Sequence, residues 1–285
     1  MLGFALAISS RTYAQDNWNG KKYSNNSAFQ QLTARTVLQQ VPIPSDATVL
    51  DLGCGAGNVT DYIASLAHEG SVLGVDASTS MITHAQKTYR FRKNLQFKTF
   101  TIGNSWPFSK EAYTHFVSFS CLHWIEDLQP TMRGIEQSLK PGGIFACCLA
   151  HSSKFNEPFY QVVLSDKWRH YFKNPQQKAF YCHDEESFGK LLSQVGLEPI
   201  LLYTWNKKVV ASRQEFIGNS KAWMPAITHM REVPQEKREE FMDDLIDATL
   251  EKTPNNSEGL YEVTSPILVV IARKDVKKEF EHSKL

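Results

Sequence analysis

The chain has 285 residues, a formal net charge of +1 and a hydrophobic content of 42%. That is enough for one large domain or two small ones with a substantial core. The balanced, interspersed charge gives no global field for nucleic acid or a membrane surface, and no apolar run is long enough to span a bilayer. Five cysteines are present, with Cys147 and Cys148 adjacent and no C-x-x-C pair anywhere. This supports neither a disulfide framework nor a metal site, and points to free thiols in a reducing, cytoplasmic setting.

The first ten residues are apolar but lack a basic leading segment, so they are expected to be a frayed or helical extension and not a signal peptide. From residue 45 onward, strand and helix patterns alternate. Residues 49–52 form a short apolar strand. Residues 58–68 carry Val59, Ile63 and Leu66 at helical spacing, and Gly70 is placed as the glycine that closes this helix. A second strand is expected at 72–75, ending at Asp76. Ser78 then caps a helix through Met81 and Ile82 to about Tyr89. Strands follow at 95–101 and 114–120, a helix at 131–139, and a near-continuous apolar strand at 144–150 after the turn Lys-Pro-Gly-Gly. A helix at 183–195 closes on Gly196, and strands at 198–205 and 266–272 complete the set. The pattern predicts an α/β fold with a doubly wound, Rossmann-like, mostly parallel seven-stranded sheet carrying helical cap insertions.

Three segments lie outside the alternation. Residues 1–45 are expected to form an N-terminal helical cap, and residues 46–285 the main domain, with insertions at about 152–182 and 211–257. The second insertion carries Phe216, Trp223, Met224, Phe241, Leu245 and Leu250 among many charges, as amphipathic helices would.

Residues 47–57 read Ala-Thr-Val-Leu-Asp-Leu-Gly-Cys-Gly-Ala-Gly. A strand runs into Asp51 and then into Gly53, Gly55 and Gly57, where the backbone turns tightly and approaches a ligand with no Cβ in the way. Asp51 sits at the carboxyl end of the strand, where open α/β sheets bind ligands. The third glycine comes one residue earlier than in the dinucleotide fingerprint G-x-G-x-x-G, and the preceding acid would repel a pyrophosphate. A ligand without phosphate and with a cationic group suits the turn better. Asp76, at the end of the second strand, is placed either to accept hydrogen bonds from two ribose hydroxyls or to serve the start of the next helix.

The run Leu-Asp-Leu-Gly-Cys-Gly-Ala-Gly, with Gly-Val-Asp-Ala-Ser at 74–78 and Leu-Lys-Pro-Gly-Gly at 139–143, resembles the class I methyltransferases that use S-adenosyl-L-methionine (SAM). The resemblance implies SAM as cofactor, with Asp51, Gly53, Gly55, Gly57 and Asp76 around it. It places Met81 near the adenine, or else as plain core, and Asn104 where the family usually has an acid that accepts from the adenine amine. Ser120 ends the fourth strand, at the edge facing the transferred methyl group.

Two further stretches, Trp18 to Gln30 and Phe119 to Ile125, resemble the carboxyl methyltransferases of the trans-aconitate and juvenile hormone acid type. By that resemblance Tyr23 closes over the methionine end of SAM, and Gln30 and Trp124 donate to the acceptor carboxylate. His123 adds a donor or shapes the pocket. Each also has a plainer reading: Gln30 as a solvated helix residue, Trp124 and His123 as core. A carboxylate is already ionised at neutral pH and needs no general base, so the protein's task is alignment and exclusion of water. The expected activity is SAM-dependent O-methylation of a small, apolar acid by a monomer or homodimer. Alternatives are a carrier-bound acyl acid, another small-molecule hydroxyl, or a SAM-binding module without turnover.

Overall fold

The computed structural model describes residues 18–103, 105–151 and 157–276. Seven strands form one sheet: β1 (Thr48–Leu52), β2 (Ser71–Asp76), β3 (Leu95–Thr99), β4 (Tyr113–Phe119), β5 (Leu139–Ala150), β6 (Leu197–Ala211) and β7 (Tyr261–Lys274). Their order is β3-β2-β1-β4-β5-β7-β6. β1 to β5 run parallel, and β7 is antiparallel to both β5 and β6. The strand order reverses between β1 and β4, so a crevice opens at their carboxyl ends.

Side-chain alternation along the strands makes two cores. Val49, Val72, Val117, Ala146 and Val269 face α2 (Ala28–Leu38), α3 (Asn58–Leu66) and α4 (Thr79–Thr88), with Val37, Ile63 and Ala85 supplied by those helices. Leu50, Leu52, Phe116, Phe145 and Leu268 face α5 (Gln129–Ser138) and α7 (Glu185–Val195), which contribute Met132, Ile135, Phe188 and Leu192. A third core stands apart from the sheet. It joins α6 (Glu157–Val163), α8 (Arg213–Trp223) and α9 (Arg238–Glu251) through Phe159, Trp168, Met224, Phe241 and Leu245. The helical insertion therefore has an interior of its own. Ahead of the sheet, α1 (Gly20–Asn26) packs on α4 and α8.

Local chemistry sets several boundaries as the sequence predicts. Ser78 caps α4, its Oγ accepting from the Met81 N–H at 3.0 Å, and Gly196 closes α7 in the left-handed region at φ 84°. Others differ. α3 stops at Leu66, and Gly70 is not its left-handed closing residue. Gly70 is required because the chain passes directly over residues 46 and 47: an added Cβ would lie 2.7 Å from the Asp46 carbonyl carbon and closer still to the Ala47 carbonyl oxygen. The Lys-Pro-Gly-Gly stretch lies within β5. Leu139 already pairs with Tyr113, the ladder slips, and pairing resumes at His115 with Ile144, with Gly142 in the left-handed region at φ 74°. β6 and β7 also run well past their expected ends, pairing as far as Ala211 with Tyr261, with a register shift between Pro199 and Leu201. The apolar pattern of their inner halves is visible in sequence, but the outer halves are mixed in polarity and carry no strand signal.

Replacing Gly70 by Ala is expected to destabilise the protein by about 1–3 kcal/mol, the cost of forcing atoms into filled space. Urea unfolding followed by circular dichroism measures it, and an unchanged midpoint would mean the 46–47 segment moves aside freely.

Candidate active site

The turn after β1 is built on glycine conformations. Gly53, Gly55 and Gly57 have φ of 78°, 53° and 85°, all in the left-handed region, which side chains with a Cβ rarely adopt. The three are not equivalent. A Cβ at Gly53 would collide with the Cys121 side chain. One at Gly57 would lie 2.7 Å from Phe97 Cζ, so packing at the start of α3 by itself requires this glycine. At Gly55 the nearest atom to an added Cβ is Tyr23 Cε1 at 3.4 Å, across an open cleft. Backbone hydrogen bonds tie the turn to β2: the Gly53 and Cys54 N–H groups donate to the Val75 carbonyl at 2.8 and 3.0 Å. The Gly55 N–H donates to Asp76 Oδ2 at 2.9 Å, and the other Asp76 oxygen accepts from the Ser78 N–H at 2.9 Å. Asp76 thus holds both the turn and the start of α4.

A cleft of about 400 Å³, counting its open mouth, lies on this turn. Tyr23, Gln30, Asp51, Gly53 and Gly55 line it, together with Ser27, Gln31, Cys54, Ala56, Asn58, Val59 and Phe119. Five of the twelve sequence-derived candidates therefore meet in one place. Gly57, Asp76, Met81, Ser120, His123 and Trp124 do not line the cleft, and Asn104 lies outside the described residues. Met81 is buried at the start of α4. Ser120 follows β4 directly with φ 54°, a strained value for a residue with a side chain, and its N–H donates to the Cys148 carbonyl at 2.9 Å.

α1 roofs the cleft. Gly20 lets it sit tightly on α4, where a Cβ would lie 2.7 Å from His84 Cβ. The Gly20 N–H donates to Ser80 Oγ at 3.2 Å, and Ser24 and Asn58 exchange side-chain hydrogen bonds at 3.1–3.2 Å. Gln30 follows on α2. Its Oε1 accepts from Asn219 Nδ2 of α8 at 3.2 Å, and Asn219 also donates to the Asn26 carbonyl. Among the described residues no acceptor takes the Gln30 amide hydrogens.

Aromatic rings continue the roof toward the insertion. Trp18 meets Tyr23 edge-on at 5.4 Å and Trp124 at 6.1 Å. Trp124 lies 4.9 Å from Phe180, which lies 5.7 Å from Trp223. The Trp124 indole N–H has no acceptor among the described residues. His123 is buried. Its Nδ1 accepts from the Ala150 N–H at 3.3 Å and its ring packs on Phe180, the satisfied core histidine of the plainer reading.

Burial sets the titration of the site. It pushes the Asp51 carboxyl up to about 7, against the lowering effect of a 2.7 Å hydrogen bond from Thr60 Oγ1 and with a further push from Asp76. It holds His123 down at about 4. Burial first, and the Asp76 charge second, raise the Tyr23 phenol and the Cys54 thiol and lift Cys121 to about 12. Asp51 has no cationic partner among the described residues.

Sequence reasoning missed Thr60, Asn219 and Phe180. Thr60 lies one turn into α3, close enough in sequence for its link to Asp51 to be legible. Asn219 and Phe180 come from segments far along the chain, and no local pattern marks them.

The family described as "Methyltransferase domain" matches residues 50–147, from β1 into β5. "Putative methyltransferase 235L" of Invertebrate iridescent virus 6 is 32% identical over 80% of this chain and 84% of its own length. "Juvenile hormone acid O-methyltransferase" of Drosophila melanogaster is 29% identical over 79% of this chain and 80% of its own. Among solved structures, Haemonchus contortus phosphoethanolamine N-methyltransferase 2 in complex with SAM superposes with a TM-score of 0.60 at 16% identity, covering 93% of this chain and 58% of that one, a likeness of fold. The glycine turn over an open cleft, the strand order and these relatives converge, and the chain belongs to the class I SAM-dependent methyltransferases.

Proposed function

We propose that this methyltransferase acts on the carboxylate of a small, apolar organic acid. The observation that carries the reading is that, among the described residues, uncommitted donors stand where the side chains beside them offer no free base; the Asp51 carboxyl, raised to about 7, is engaged by Thr60 at the glycine turn. The Gln30 amide hydrogens, at the cleft, and the Trp124 indole N–H, in the adjoining aromatic row, are uncommitted. His123 is held neutral by burial with one ring nitrogen occupied, and the nearby thiols are held protonated. An alcohol, phenol or ammonium acceptor would need a group to take its proton. A carboxylate arrives ionised. The name of the Drosophila relative, an acid O-methyltransferase, agrees with this reading.

The cleft fits the cofactor. It is an open cradle over left-handed glycines, with a buried carboxylate that lacks a cationic partner. Bound SAM supplies the electrophilic methyl group on its sulfonium. Gly53 and Gly55 give close backbone approach. Asp51 faces a cation, and Asp76, at the end of β2, is assigned to the ribose side. Tyr23 and Trp18 present ring surface suited to a sulfonium and keep water out. Met81 and Asn104 belong to the adenine side in this proposal, and Ser120 to the floor under the methyl group. Gln30, fixed by Asn219, and Trp124, fixed by Trp18 and Phe180, orient the acceptor. The row Trp18, Trp124, Phe180 and Trp223 gives its body an apolar wall.

Screening free acids with SAM tests the reading by mass spectrometry: apolar acids are expected to gain one methyl and the matching alcohols none. Gln30→Ala combined with Trp124→Phe is expected to raise KM for the acid by roughly tenfold or more, the loss of two hydrogen bonds to a charged group, with SAM affinity nearly unchanged. Equal loss of both would put these residues on the cofactor. Asp51 gives a separate check. Its carboxyl is raised in the folded state, so ionising it costs stability as pH rises from about 4 to about 7, and the cost persists above that. Asp51→Asn is therefore expected to unfold at higher urea than wild type at about pH 8 and to match it at about pH 4. Wild-type SAM affinity, measured by calorimetry, is expected to rise with pH up to about 7, and the Asn variant to lose that slope. A wild-type affinity that is flat with pH would remove Asp51 from the cationic end.

A further inference from the structure

One buried cation plays no part in this account. β6 and β7 pair beyond the end of β5, and Lys207 stands on that overhang, opposite Ser265, just past the sheet edge where the cleft opens. Its side chain turns inward under α2 and is 5% exposed. Nζ donates to Thr33 Oγ1 at 2.8 Å and to the Phe29 carbonyl at 3.3 Å, and lies 4.1 Å from the Phe29 ring centroid. Phe29 immediately precedes Gln30, so the ammonium group sits directly behind the turn of helix that presents the Gln30 amide.

No carboxylate among the described residues pairs with Lys207. The other buried lysine, Lys274, lies 3.4 Å from Glu136 and 3.8 Å from Glu111. Burying a charge without a counter-charge is costly, and burial pulls the Lys207 ammonium below its ordinary value. A latch between α2 and β6 needs only a hydrogen-bond donor, and a neutral amide would serve. A full positive charge in poorly screened surroundings attracts an anion on the far side of the α2 turn.

We propose that Lys207 is a specificity residue: its charge, acting across the first turn of α2, favours an anionic acceptor over a neutral one of the same shape. It is a positioning group and not a catalytic one, since it does not reach the reacting atoms. The inference rests on the carboxylate reading above.

The test compares dodecanoic acid with dodecanamide, two probes of nearly equal shape that differ in charge. With wild-type protein loaded with S-adenosylhomocysteine, calorimetry is expected to give affinity for the acid roughly tenfold or more above that for the amide, the scale of a partly buried charge contact. Equal affinities overturn the proposal with no variant needed. Lys207→Gln keeps donors for Thr33 and the Phe29 carbonyl while losing the charge. It is expected to cut the preference several-fold, leaving the part due to Gln30 and Trp124, to raise KM for the acid, and to leave the affinities for S-adenosylhomocysteine and the amide unchanged. Parallel loss of acid, amide and cofactor binding would make Lys207 a latch and nothing more. Lys207→Met, which keeps the apolar stem, repeats the measurement if the Gln variant does not fold. Failure of wild type to methylate any acid in the panel removes the acid reading itself, whereas methylation with an unaltered KM in the Gln variant removes only Lys207.

Discussion

The hydrogen bond from the Gly55 N–H to Asp76, with its two neighbours from Gly53 and Cys54 to the Val75 carbonyl, is the contact on which the rest depends. It welds the turn after β1 to the end of β2 and so fixes the floor of the cleft. Left-handed glycines make that floor geometrically possible, and the collision awaiting any Cβ at Gly53 shows how closely Cys121 packs beneath it. Above the floor, α1 is only seven residues long. A helix that short is not stable alone. Its place is set by what it touches: α4 through Gly20, α3 through Ser24 and α8 through Asn26. Floor and roof are near in sequence, but the roof is held in part by Asn219 of α8, so the cleft is complete only once the sheet and α8 have assembled.

Two uncompensated charges flank this cleft, and they are of opposite sign. Among the described residues, Asp51, buried at the end of β1, meets no cation, and Lys207, buried behind α2, meets no anion. Placed together they would neutralise each other. The fold keeps them on different elements, Asp51 beside the glycine turn and Lys207 beyond the far sheet edge. Under the proposed function, that arrangement suits a reaction between a cationic donor and an anionic acceptor, whose charges cancel as the methyl group passes between them. The favourable interaction is then strongest before the transfer and weakens in both products, which helps release.

Much of this was legible in sequence, for identifiable reasons. The strand, acid and three glycines at 47–57 announce a turn that only glycine can make, and the alternation of strand and helix, broken only between β3 and β4 in the first five strands, predicts the layered sheet. Tyr23, Gln30, Asp51, Gly53 and Gly55 meet as a local motif and a family resemblance imply. What was not legible came from packing between distant segments. Gly57 reads like its two neighbours but answers to Phe97 on β3. Gly70 reads like a helix stop but answers to a backbone crossing. The outer halves of β6 and β7 have little apolar pattern because they support each other mainly through backbone pairing. Lys207 looks like any surface lysine until the pairing of β6 with β7 carries it under α2.

β6 has a further consequence as the outermost strand. Such a strand exposes a row of backbone donors and acceptors that another chain can extend into an aggregate. Near its start, Pro199 removes one donor and the register slips before Leu201, which interrupts any straight ladder there. Farther along, exposed Lys208 places a charge on the rim beside Val210, a residue type that discourages stacking of like chains. The strand that carries Lys207 is thus also guarded against recruiting its own kind, and this lets a long, partly apolar strand pair stand at the margin of the sheet.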